Sequence, residues 1–97
     1  MPANPGGVVD VRCEPAPGGW TCHVTVDGPG TETAHVVGIS DADLARLAPG
    51  APDPGDLVRR SFAFLLAREP KESIVGRFDL PVIGRYFPDY ELAIREG

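Results

Sequence analysis

"VVDVRCEPAPGGWTCHVTVDGPGTETAHVVGI", residues 8–39, decides the architecture. Apolar and polar residues alternate along it, and a period of two is the mark of a strand with one buried face. In residues 8–14, Val9, Val11 and Cys13 share one side; Val8, Asp10, Arg12 and Glu14 share the other. In residues 20–27, Trp20, Cys22, Val24 and Val26 oppose Thr21, His23 and Thr25. Residues 31–39 contain adjacent Val36 and Val37, and we place His35, Val37 and Ile39 inward. The turn clusters "PAPGG" (15–19) and "DGPG" (27–30) separate the three segments. Connections this short join antiparallel neighbours, so the expectation is a three-stranded antiparallel β-meander.

From Ser40 the period changes. Ser40 is the expected N-cap of a short helix, with Asp43 three residues on in a variant of the capping box. Leu44 and Leu47 are its buried pair, and Gly50 is expected to end it. "APDPGD" (51–56) is a linker in which Asp53 is the expected N-cap and Pro54 the first helical residue. The main helix is expected over about residues 54–69, ahead of Pro70. Val58, Phe62, Leu65 and Leu66 form its core stripe, flanked by Leu57 and Ser61. Phe64 falls about 200° from Phe62 at 100° per residue, outside that stripe. The helix is therefore expected to be sandwiched between the sheet and a second apolar layer.

The chain that can supply this layer is "REPKESIVGRFDLPVIGRYFPDYE", residues 68–91. It holds two of the four Phe, both Tyr, three of the eight Arg and the only Lys. Two or three short helical pieces are expected there and beyond. Residues 71–78 carry Ile74 and Phe78; residues 79–87 start at Asp79 and carry Leu80, Ile83 and Phe87. Residues 88–96 carry Tyr90, Ile94 and a Glu91–Arg95 pair. Gly76 and Gly84 weaken the pieces, which are too short to hold alone and must dock. The fold class is thus α+β: the meander, a short helix, one main helix packed on the sheet, and short C-terminal helical turns.

Residues 57–91, "LVRRSFAFLLAREPKESIVGRFDLPVIGRYFPDYE", resemble the C-terminal half of short bacterial proteins, mostly actinobacterial. In these a strand-rich half precedes a helix, an "REP-ESI" stretch and an "FDL-VI-YFP-YE" ending. The resemblance covers about a third of the chain. It implies a single compact domain and carries no activity over to individual residues.

A length of 97 residues makes one domain, 1–97, with the Pro/Gly-rich residues 1–7 expected to fray. The net charge of −5 argues against non-specific DNA binding. The charge is uneven: residues 1–50 sum to −4 and residues 57–86 to +3. No run of 18 apolar residues is present, so no membrane span is expected. "MPANPGGVVD" lacks the basic and apolar regions of a signal peptide, and a cytoplasmic protein is expected. Cys13 and Cys22 are too few for a disulfide scaffold, and a reducing cytoplasm would keep them as thiols. If Val11 pairs with Val24 they face each other, and a bond then depends on local geometry.

Cys13, Cys22, His23 and His35 lack the spacing of a zinc site, and no metal or cofactor is expected. A Cys22–His35 nucleophilic pair lacks an orienting partner and an oxyanion loop, so an enzyme using Cys/His chemistry ranks third among the functions. The aspartates cluster at helix starts, where capping accounts for them. Arg60, Arg68, Arg77 and Arg85 with Tyr86 and Tyr90 form the candidate interaction surface. Arg and Tyr are enriched where proteins meet, and the same set can stack on and neutralise nucleic acid. The competing reading is that both tyrosines close a small core, with the arginines solvated or paired with Glu69, Glu72 and Glu91. The favoured expectation is a small non-enzymatic protein-interaction or regulatory module whose partner is another protein. A nucleic-acid-associated, antitoxin-like regulator is second.

Overall fold

A computed structural model describes residues 8–28 and 31–96. The fold is α+β. Strands β1 (Val8–Ala16), β2 (Gly19–Asp27) and β3 (Glu32–Ser40) form the antiparallel meander. Its inner face is the expected one, with Cys22, Val24, Val26, His35, Val37 and Ile39 all buried. The first hairpin is tighter than the "PAPGG" cluster suggests. Ala16 already pairs with Gly19, leaving Pro17 and Gly18 as the loop. Gly18 supplies the left-handed backbone (φ 74°) that the second turn residue needs after a proline. In the second turn, the Gly28 N–H donates to the Thr31 carbonyl at 3.3 Å. Pro29 and Gly30, and the fraying expected of residues 1–7, lie outside the described residues.

The expectation of two free thiols is corrected. Val11 does pair with Val24, which puts Cys13 opposite Cys22 at a Cα separation of 4.0 Å, and the two are joined in a disulfide. A pair facing across neighbouring strands needs no multi-bridge scaffold to bring its sulfurs together.

The sheet has a fourth strand that the helical reading of residues 71–78 excluded. A 3-10 turn (Lys71–Ser73) leads into β4 (Arg77–Asp79), which pairs parallel to β3, giving the order β1-β2-β3-β4. Parallel neighbours need a long crossover, here everything from residue 41 to 76. Two donors on β3 fix the returning chain: the Val36 N–H reaches the Gly76 carbonyl at 2.8 Å, and His35 Nδ1 donates to the Val75 carbonyl at 2.9 Å. Gly38 leaves room for the close approach, since a Cβ there would sit 2.7 Å from the Asp79 carboxylate.

The crossover contains α1 (Asp41–Leu47) and α2 (Gly55–Leu66). Ser40 and Asp43 make both bonds of the capping box. The helix stops at Ala48, ahead of Pro49 and so earlier than the expected end at Gly50, which turns the chain just beyond it (φ 83°). In α2 the N-cap position belongs to Pro54, and Asp53 instead accepts from the Gly55 N–H at 2.9 Å. The buried face is Leu57, Val58, Ser61, Phe62 and Leu65, while Leu66 is only half-buried. The stripe is thus rotated slightly toward Leu57 and Ser61 relative to expectation.

The remaining chain folds back over α2 as a 3-10 turn (Leu80–Val82), α3 (Ile83–Tyr86) and α4 (Tyr90–Glu96). Leu80, Ile83, Tyr90 and Ile94 are buried. Phe64 packs edge-on against Phe87 and Tyr90, with ring centroids 5.8 and 5.3 Å away. This is the second layer demanded by an aromatic on the far side of α2. Glu91 pairs with Arg46 of α1 at 3.1 Å in place of the expected partner Arg95, tying α4 to α1.

Candidate functional site

The six residues grouped as a surface do not form one. Tyr90 is fully buried. Its hydroxyl lies 2.6 Å from Ser61 Oγ, which itself donates to the Leu57 carbonyl at 2.8 Å. Ser61 having spent its proton, Tyr90 is the donor. Arg60 bonds Asp56 and the Ile94 carbonyl, so it clamps α4 to α2. Arg68 stacks its guanidinium 3.6 Å from the Phe64 ring centroid and contacts Asp89 at 3.4 Å. Arg77 and Arg85 are exposed, and Arg85 lines a different depression alongside Asp43 and Asp79. Tyr86 is 75% exposed. The set therefore divides into structural groups (Tyr90, Arg60, Arg68) and exposed ones (Arg77, Arg85, Tyr86).

Burial pushes the Tyr90 phenol up to about 12. In the unfolded chain a tyrosine ionises near pH ~10. The stability linked to this proton is fully present below that pH and is lost as pH rises toward about 12. Wild type should lose ~2–3 kcal/mol over this window. Tyr90→Phe should remove most of that alkaline slope and lower neutral-pH stability by only ~1 kcal/mol, since Ser61 keeps the Leu57 carbonyl. Denaturant titrations at several alkaline pH values check it; equal slopes in both proteins would contradict a buried phenol.

Tyr86 lies on the rim of an apolar groove of about 240 Å³. The groove runs between the C-terminal end of α2, the 74–75 segment, β4 and α3. Leu65, Ile74 and Ile83 form its buried floor, and Phe78, Val82 and Phe87 are half-buried walls. Val75, 59% exposed, lies on it with Tyr86. Glu69 and Ser73 are its polar groups. Sequence reasoning found Tyr86 and missed Val75. The signal was present in "SIVG", where Val75 directly follows the buried Ile74 and, in a chain that is not helical there, neighbours face opposite ways.

Cys22 and His35 do not form the nucleophilic pair weighed from the sequence. Cys22 is in the disulfide. Both ring nitrogens of His35 are engaged, Nδ1 with the Val75 carbonyl and Nε2 with the Thr33 hydroxyl at 3.0 Å. Since the carbonyl only accepts, Nδ1 carries the proton and Nε2 accepts from Thr33, which makes this a structural histidine. His23 is on the opposite face beside Glu14. Among the described residues no three His, Cys, Asp or Glu groups converge as metal ligands, and no helix is long and apolar enough to cross a membrane. Searches against protein-family models, curated proteins and solved structures found no match to this chain.

Proposed function

We propose that the protein is a small interaction module that binds a segment of another protein in the groove flanked by Val75 and Tyr86. The observation that carries this reading is the pair of large apolar side chains left exposed beside an apolar groove. Exposed apolar groups gathered at one place mark binding surfaces, and tyrosine is a preferred anchor there. Size narrows the occupant. Small-molecule pockets are commonly ~300–1,000 Å³ and enclose most of their ligand. A groove of about 240 Å³, open along one side, suits one or two side chains of a docked peptide.

The nucleic-acid reading loses ground because Arg60 and Arg68 are committed to intramolecular partners. A cytoplasmic location is the reading from the sequence. The Cys13–Cys22 disulfide draws it toward an oxidising compartment, because such bonds are rare in a reducing cytosol. Thiol trapping in cells decides between the two.

The test of function places a photo-crosslinking side chain at Tyr86 or, as a control, at Leu92, which is 62% exposed on α4. Position 86 should give a discrete protein adduct in the cells that naturally express the chain, and position 92 should not. Tyr86→Ala should weaken binding of that partner by about tenfold or more, the loss typical of a hot-spot aromatic. Equal labelling from both positions would count against the groove. Salt-sensitive oligonucleotide binding abolished by Arg60→Glu and Arg77→Glu would replace this reading with the nucleic-acid one.

A further inference from the structure

Among the described residues β1, at the outer edge of the sheet, has a neighbour on one side only. Which of its backbone groups face outward follows from two observations. The Val36 N–H points to β4, so the alternate residues His35 and Val37 point theirs toward β2. Cys22, opposite Val37, then points its own groups to β3 and away from β1. The 4.0 Å Cα separation of Cys13 and Cys22 agrees, since non-hydrogen-bonded pairs are the closer ones. The outward-facing groups of β1 are therefore those of Val9, Val11, Cys13 and Pro15. Pro15 has no N–H, so the edge loses its donor there and ends as a pairing template.

From this edge we infer that two copies of the chain pair β1 against β1, antiparallel, about a two-fold axis at Val11. Val11 then faces its copy, and Val9 faces the second Cys13. The result is about six backbone hydrogen bonds. Between them, on the solvent face, Asp10 of each copy lies opposite Arg12 of the other. Both are exposed, and neither has an ion-pair partner among the described residues.

Other registers are worse. An axis at Arg12 puts Asp10 against Glu14, and an axis at Asp10 puts that residue against itself; like charges directly opposite are destabilising. An axis at Cys13 sets Arg12 against Glu14 but places Val11 opposite Pro15, which cannot return the second hydrogen bond. Burial fits as well. The inward residues Val9, Val11 and Cys13 are only half-buried, whereas Cys22, Val24 and Val26 beside them are fully buried. A second β1 would cover that margin.

The test is the mass of the full-length, disulfide-bonded chain across a concentration series, by sedimentation equilibrium. Wild type should dimerise. Arg12→Asp, which turns both cross-strand attractions into repulsions, should weaken the dimer by about 10- to 100-fold. Asp10→Arg combined with Arg12→Asp should restore it. Val11→Pro, which deletes the central outward N–H and no bond to β2, should give a folded monomer. A wild-type monomer at every concentration would overturn the proposal, including one that accepts an extended peptide from a different protein. So would a dimer indifferent to Arg12→Asp and Val11→Pro.

Discussion

Ending the chain at Arg77 should abolish cooperative unfolding. The truncation removes Leu80, Ile83, Tyr90 and Ile94, each no more than 5% exposed. Burying a side chain of this size contributes roughly 1.5–3 kcal/mol. Four of them together approach the whole stability of a small domain, about 5–15 kcal/mol. The cut also strips the cover from Phe64, which leans on Phe87 and Tyr90, and leaves β4 with a single residue. The shortened chain should aggregate or give a broad, low-amplitude transition in denaturant. A sharp transition at the wild-type midpoint would mean that residues 78–97 are an appendage and that α2 has no second layer.

Phe62→Ala is the point substitution with the largest expected cost, about 3–5 kcal/mol. Phe62 is fully buried on the sheet side of α2, with its ring centroid 5.3 Å from that of His35 and 6.2 Å from that of Phe78. It therefore joins three parts of the chain that meet nowhere else in sequence: α2, β3 and β4. A loss of this size in a domain this small should lower the melting temperature by more than ~10 °C. Leu66→Ala, at a half-buried position of the same helix, should cost clearly less. Equal losses at the two positions would contradict the observed rotation of the helix.

The antiparallel meander and both crossover helices were legible in the sequence because each rests on a local rule. Strand alternation repeats every two residues, and Ser40 with Asp43 satisfies a cap through bonds three residues apart. The second layer over α2 was legible for a similar reason: Phe64 cannot turn inward on a helix that buries Phe62. What was hidden depends on distant partners. β4 is three residues long and exists because His35 and Val36, some 40 residues earlier, hold the chain at Val75 and Gly76. Ile74 and Phe78 stand four apart as in a helix, but the backbone between them bends at Gly76 and enters β4. The disulfide was conditional on a strand register, and the register proved to be the one that closes it.

The candidate site was half legible. Tyr86 and Tyr90 are four residues apart, and one continuous helix would present them on a shared face. α3 instead ends at Tyr86, and Phe87 takes an extended conformation (φ −131°, ψ 91°) before Pro88. The rotation relating the two rings is lost at that break. One is left on the groove rim and the other goes into the core.

That division carries the functional reading, and it can be measured by nitrating the native protein and mapping the modified tyrosines by mass spectrometry. The chain has two tyrosines. With Tyr86 75% exposed and Tyr90 fully buried, native protein should be nitrated rapidly and almost only at Tyr86, and denatured protein at both. Comparable rates at Tyr86 and Tyr90 in the native state would contradict both the closed second layer and the groove beside it.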